Sequence, residues 1–392
     1  MIKILAQAEV QDFILKNQDK DPRELALKKS SFKGLAMSEI AAQIAAKQRI
    51  KNKLPSWYNK VGLIFPPTLN LEQSSSELTA QYKADLISNT LEMGLDMTGG
   101  LGIDSLAFSK KIKEFTYCEL NKDLFLITEH NFEIWGQKNI KSILGSSIDL
   151  LENSRLNFDL IFVDPSRRND KKGKVFLLED CLPNLVEYKA LIESKTKRLI
   201  VKNSPMLDID QSLKELEVSA HVHVIAINNE VKEVLLDIDW TENNKVTCIN
   251  FTKTGKQVYS FKKGDHCTTD FGLPQTYLYE PNAAIMKAGG FQSIGSDFLL
   301  KKIHPNSHLF TSSKLIEGFP GRRFEIIDQS QVNKKSLKKL IQGQKANISV
   351  RNFPMSVSQI RKKTGLKDGG EIYVFCTTLI DEQKKALICK KV

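Results

Sequence analysis

Apolar residues change their spacing along the 392-residue chain, and each change predicts a different element. From Ala36 to Ile50 (AMSEIAAQIAAKQRI) they recur at helical intervals until Lys51-Asn52-Lys53-Leu54 and Pro55 stop the pattern. Residues 1 to 60 therefore read as a small helical prefix. After Pro66-Pro67, the segment Leu71 to Ala80 (LEQSSSELTA) places Glu77 three positions after Ser74, the spacing of a capping box. A helix bearing Tyr82, Leu86 and Ile87 should start there. Between residues 90 and 240, short apolar runs alternate with helical spacing, the mark of a parallel sheet covered on both faces. Strands are expected into Asp96 and over Phe115 to Leu120, Ile140 to Leu144, Asn157 to Val163 and Arg198 to Lys202. His221 to Ile227 and Val231 to Ile238, around Asn228-Asn229-Glu230, predict an antiparallel hairpin that closes the sheet. Beyond Trp240 the alternation fails. Residues 246–261 predict two short strands around Thr254-Gly255, and 274–315 a compact α+β unit. The basic tail predicts a helix at Lys334 to Lys339 and strands at Asn347 to Val350 and Glu371 to Thr377.

Within this pattern the stretch Leu95-Asp96-Met97-Thr98-Gly99-Gly100-Leu101-Gly102-Ile103-Asp104 reads as strand, tight turn, helix. Glycine serves where the backbone needs positive φ or approaches a ligand, and a helix starting there aims free N–H groups at the turn. A dinucleotide fingerprint would want a third glycine where Ser105 stands, so a nicotinamide oxidoreductase is disfavoured. Glu119 closes the second strand, where a carboxylate can accept both hydroxyls of a ribose. A buried run ending at Val163 delivers Asp164-Pro165-Ser166-Arg167-Arg168 at its carboxyl end, where ligands bind in open α/β sheets.

Composition narrows the class further. With 41% hydrophobic and 26% charged residues the chain is an ordinary globular one, and no run reaches the ~18–20 apolar residues of a membrane span. The early charges of the N-terminus do not suit a secretory signal, which gives a cytoplasmic reading. Six cysteines scattered without a CxxC pair predict neither a zinc site nor a disulfide framework, and the histidine pairs His221/His223 and His304/His308 do not predict a metal site. A formal net charge of +11 favours a polyanionic partner, with RNA the expectation and a steep salt dependence its consequence. Oligomeric state is not legible.

These residues together resemble a known group: bacterial class I S-adenosylmethionine (SAM) methyltransferases that carry C-terminal ferredoxin-like and THUMP-like domains. The resemblance rests on LEQSSSELTA at 71–80, DMTGGLGID at 96–104, VDPSRR at 163–168, LLEDCLPNL at 177–185, VKNSPMLDI at 201–209, YLYEPNAAIMKAG at 277–289 and FPGRRF at 319–324. It implies a Rossmann-like α/β methyltransferase sheet over 89–245, a helical domain over 1–88, linker strands and a ferredoxin-like domain over 246–318, and a THUMP-like domain over 319–392. It also implies SAM as cofactor, held by Asp96, Thr98, Gly99, Gly100, Gly102, Asp104, Glu119 and Asp149, with Asp96 near the amino group of SAM. Many such enzymes hold adenine with an acidic residue directly after the glycine of strand three; here that place is Ser146, and Asp149 or a backbone group would substitute.

Catalysis is expected at Asp164, Pro165, Ser166 and Arg167, with Asp164 accepting from a target amino group. Arg168, Lys202, Arg322 and Arg323 are candidate substrate contacts; Lys202 would either bind substrate phosphate or pair with Asp164, and the two arginines after Ser166 would either stack on a base or bridge Glu179 and Asp180. Asn203 stands where RNA 5-methyluridine methyltransferases need a nucleophilic cysteine, which argues against carbon methylation, and Cys181 reads as a buried small residue. The loop 71–80 either caps a helix or closes over SAM or substrate. The expected activity is methylation of a nucleobase nitrogen in structured tRNA or rRNA. A protein or small-molecule methyltransferase, or an RNA-binding protein that has lost activity, stays open.

Overall fold

The computed structural model describes residues 2–167 and 177–392. The chain forms two compact units, Met1–Ala220 with Leu235–Glu242, and His221–Val234 with Asn243–Val392.

The first unit joins the helical prefix to a parallel sheet. β1 (Leu91–Asp96), β2 (Ile112–Glu119), β3 (Ile140–Leu144) and β4 (Leu160–Val163) lead to a two-residue antiparallel pair, β5 (Ser166–Arg167) with β6 (Cys181–Leu182), and then to β7 (Leu199–Asn203). The spatial order is β3-β2-β1-β4-β7, all parallel, and residues 235–238 continue it beside β7. Strand order reverses between β1 and β4, so the chain leaving those two strands frames the crevice where α/β sheets bind ligands. β4 and β7 are buried along their whole length, and β1 is buried over its last three residues.

The prefix is built on the helix Met37–Ile50, whose Ile40, Ala41 and Ile44 pack with Val10, Ile14, Leu25 and Leu35. Ile127, from the sheet-covering helix Lys122–Trp135, belongs to the same cluster, so the prefix and the sheet share a core. Trp57 is buried against Trp135 with ring centroids 5.9 Å apart, while Tyr58 is half-buried with the Lys47 and Lys51 ammonium groups 5.7 and 5.2 Å from its ring centre. The helix cap at 71–80 lies two residues after the expected one. Ser76, not Ser74, accepts from Thr79 N at the start of the helix Glu77–Asp85, and Ser74 ends the preceding helix Thr68–Gln73. Glu77 is therefore the first helical residue and accepts from the backbone N–H of Ser56 (2.9 Å), while Thr79 stands where a capping box needs Glu or Gln.

The second unit holds β8 (His221–Ile227), residues 230–234 at the start of β9 (Glu230–Ile238), β10 (Lys245–Thr252) and β11 (Gly255–Lys262). Asn228 and Asn229 both take positive φ (49° and 66°), the two-residue turn that matches strand twist. β10 runs parallel to β8 and antiparallel to β11, so the two strands expected around Thr254-Gly255 widen a sheet. A separate seven-stranded sheet follows from β12 (Tyr277–Pro281), β13 (Lys301–Lys302), β14 (Phe310–Ser312), β15 (Gly321–Ser330), β16 (Asn347–Arg351), β17 (Ile372–Thr378) and β18 (Lys384–Lys391), in the order β13-β14-β12-β15-β18-β17-β16. Alternate residues of β17 and β18 feed two cores, Val374, Cys376 and Ile388 on one and Phe375, Leu387 and Cys389 on the other. No helix among the described residues is long and apolar enough to cross a membrane.

Candidate active site

The turn after β1 is held from inside. Asp96 is buried; its Oδ2 accepts from Ser105 Oγ (2.5 Å) and its Oδ1 from Thr98 N (3.0 Å). Ser105, at the place a dinucleotide fold gives to glycine, thus fastens the new helix Ile103–Phe108 to the strand end. Two glycines are fixed by packing: a Cβ on Gly99 would lie 2.2 Å from the Tyr117 ring, and one on Gly102, at φ +73°, would meet Phe132 and Thr128 at 2.6 Å. Gly100 faces the other way, where a Cβ would find nothing nearer than Thr98 O at 3.7 Å.

Burial raises the Asp96 carboxyl to about 7, against the hydrogen bonds from Ser105 and Thr98 and with the charges of Asp104 and Asp164 adding to the rise. A folded-state value above the ordinary 3.8 means the native state binds the proton more tightly, so this group's contribution to stability falls as pH rises from about 4 through about 7. Asp96→Asn should remove that dependence. The expected result is a variant whose Tm gains several degrees on the wild type between pH 5 and pH 8, by differential scanning fluorimetry across that range; a constant offset would assign the acid-to-neutral dependence elsewhere.

Glu119, half-buried at the end of β2, accepts from Gly100 N (2.9 Å) and Asn121 N (2.7 Å). The expected ribose acceptor thereby also shapes the glycine turn. At the end of β3, Ser146 caps the helix Ser147–Asn153 by accepting from Asp149 N, and Asp149 is exposed in that helix's first turn.

Across the crevice, Asp164 follows β4 directly. Its backbone N–H donates to Thr98 Oγ1 (2.7 Å), which ties it to the glycine turn, and its Oδ2 lies 2.5 Å from Lys202 Nζ. Of the two roles open to Lys202 in the sequence, the structure shows the pairing. The Lys202 side chain is 10% exposed and that of Asp164 is 40% exposed, so the acid presents a face that its partner does not. Pro165 is half-buried and Ser166 exposed. Arg167 pairs through its backbone with Cys181, and Arg168 lies outside the described residues. Cys181 is buried with Sγ 3.6 Å from Leu177 O, and Asn203 is buried at the end of β7.

Asp104 faces inward rather than to a ligand. Lys83 Nζ lies 2.9 Å from its Oδ1, Ser75 Oγ donates to its Oδ2 (2.6 Å), and Lys83 also donates to Ser75 (2.9 Å). Burial opposes ionisation of this carboxyl, but the cations of Lys83 and Lys202 hold it below the ordinary carboxylate range. Ser75 lies in the loop 71–80 that the sequence singled out, whereas Lys83 was passed over. The signal was a lysine on the apolar stripe Thr79, Ala80, Lys83, Ala84 of a short helix, where a cation needs a buried partner.

Arg322 and Arg323 sit in the other unit. Arg322 Nε donates to the buried Glu280 (2.6 Å), whose other oxygen contacts Arg351 at 2.7 Å, and Arg323 donates to Ile316 O. The Glu280 pairing makes Arg322 a fastening between β12 and β15, against its expected role as a substrate contact.

With this geometry in hand, one likeness decides the family. A candidate methyltransferase from Porphyromonas gingivalis W83, solved by crystallography, matches over 100% of this chain and 98% of its own, with a TM-score of 0.89 and 30% identity. The chain belongs to this methyltransferase family. Family models for a ferredoxin-like domain and a THUMP domain-like segment match residues 277–320 and 321–391 of the methyltransferase chain. A protein from Mycoplasma mobile that bears the name of an uncharacterised RNA methyltransferase is 31% identical over 130 residues, 32% of this chain and 36% of that one. The match thus spans about a third of that relative.

Proposed function

We propose that this methyltransferase uses SAM and methylates a nucleobase nitrogen of structured RNA, tRNA or rRNA, in the cytoplasm. The observation that carries the reading is Asp164, a partly exposed carboxylate at the carboxyl end of β4, bound through Thr98 to the glycine turn after β1. The turn fits a SAM-like ligand, because the outward face at Gly100 is open and the half-buried Glu119 stands beside it, with one oxygen on Gly100 N and the other on Asn121 N. Gly100 and Glu119 would hold SAM, with Asp149 at the adenine end, and Asp96 would support the turn from inside through Ser105 and Thr98. When bound, SAM supplies an electrophilic methyl group. Asp164 accepts the N–H of the target amino group and thereby orients the nitrogen lone pair, a contribution of positioning and hydrogen bonding without a covalent intermediate. RNA is favoured by the net charge of +11, by the THUMP domain-like segment and by the name of the Mycoplasma relative.

The test is transfer of labelled methyl from SAM to total RNA and total protein from a strain lacking the gene. Label in one RNA species is expected, falling steeply between 50 and 200 mM salt as about 10³ or more in affinity is lost to competing counterions. Label in protein alone, or none in either with SAM bound, would overturn the reading.

A further inference from the structure

We propose that Lys202 is a positioning residue for the transfer step: it grips one oxygen of Asp164 from the buried side and leaves the rest of the carboxylate to the substrate. The inference rests on Asp164 being the acceptor proposed above.

Lys202 lies on β7, whose residues are buried without exception, and a lysine brought there needs an anionic partner. It has one at 2.5 Å in Asp164 and acts on a second, Asp104, whose carboxyl its charge helps to hold down. Asp104 is itself fixed by Lys83 and Ser75 from the helix Glu77–Asp85 and the residue ahead of its cap. The lysine therefore stands between two carboxylates, one anchored to the helical prefix and one open to the crevice. The backbone of Asp164 is pinned separately, by Thr98 Oγ1 at 2.7 Å, and Thr98 is pinned by Asp96. Both ends of the acid are thus held: the main chain from β1 and the carboxylate from β7. A carboxylate 40% exposed and not so held would rotate with the solvent, and displacement of a reacting group by about 1 Å can cost on the order of 10² in rate.

The experiment compares wild type, Lys202→Met and Lys202→Arg. Two readouts are taken: kcat and KM on RNA, and SAM affinity by calorimetry. Lys202→Met should lower kcat by about 10–100-fold with SAM affinity within about twofold of wild type. Lys202→Arg keeps the cation opposite Asp164, so it should recover most of the rate. A wild-type kcat in Lys202→Met, a loss that tracks SAM affinity, or a Lys202→Arg variant no faster than Lys202→Met would each overturn the inference. If the wild type labels protein and not RNA, while Lys202→Met slows that transfer and Lys202→Arg restores it, the RNA reading falls and the Lys202 grip is supported.

Discussion

Asp164→Ala should slow methyl transfer by about 10³-fold, within the range that a positioned acid–base group contributes, while SAM affinity changes little. The split follows from where the residue is held. Its backbone N–H, which alanine keeps, makes the 2.7 Å bond to Thr98 that ties the loop to the glycine turn. Its carboxylate, which alanine lacks, is paired to Lys202 and partly open to the crevice. Asp164→Asn should retain more activity than alanine, because an amide oxygen still accepts from a target amino group. Single-turnover rates at saturating SAM are the measurement, and a loss below tenfold in the alanine variant would remove Asp164 from the chemistry.

Lys83→Met is expected to give the largest loss of stability. The Lys83 side chain is wholly buried and its partner Asp104 is 11% exposed, so the variant strands a carboxylate away from water. Breaking one side of a buried pair costs about 3–5 kcal/mol, which for a chain of this size lowers Tm by on the order of 10 °C. The pH dependence gives the sign. In the wild type Asp104 sits below its ordinary value, so the stability it lends is present above about pH 4 and is lost only as pH falls through the lower folded value. In the variant the burial that opposes ionisation is no longer offset by Lys83, so protonation of Asp104 should relieve the defect. The gap in Tm between the two proteins should therefore shrink from pH 7 to pH 4, and Lys83→Met with Asp104→Asn should recover part of it. A gap that is flat with pH would point to lost packing of the lysine stem in place of lost charge.

The parts of this molecule that the sequence displayed are those governed by local rules. Period and length placed β3 at Ile140–Leu144 and the hairpin strands around Asn228, and the glycine turn declared itself because Gly99 and Gly102 are forced by the rings of Tyr117 and Phe132. What stayed hidden depends on partners far apart along the chain. Ser76 is the cap in place of Ser74, and Glu77 accepts from Ser56, a partner that no spacing rule contains. Asp104 stood within the glycine motif and so read as a ligand contact; its buried partner lies 21 positions earlier on another helix, and only the fold brings Lys83 to it. The pairing of Lys202 with Asp164 was one of two open roles, since two strand ends must be adjacent before a lysine and an aspartate can meet. Arg322 was read by charge alone, and Glu280, which claims it, is an acid in an apolar strand.

The continuous hydrogen bonding of β12 to β15 gives the C-terminal half a particular inheritance. Residues 277–281 and 321–325 form one ladder, and the family boundary at 320/321 runs along it. The two segments are therefore halves of one plate and not beads on a string. A cut at that boundary would bare the edge of β15, a row of unmet donors and acceptors that invites pairing with other chains. Anyone transplanting this C-terminal module into another enzyme must take it from residue 277 onward, and nature, shuffling the same pieces, faces the same constraint.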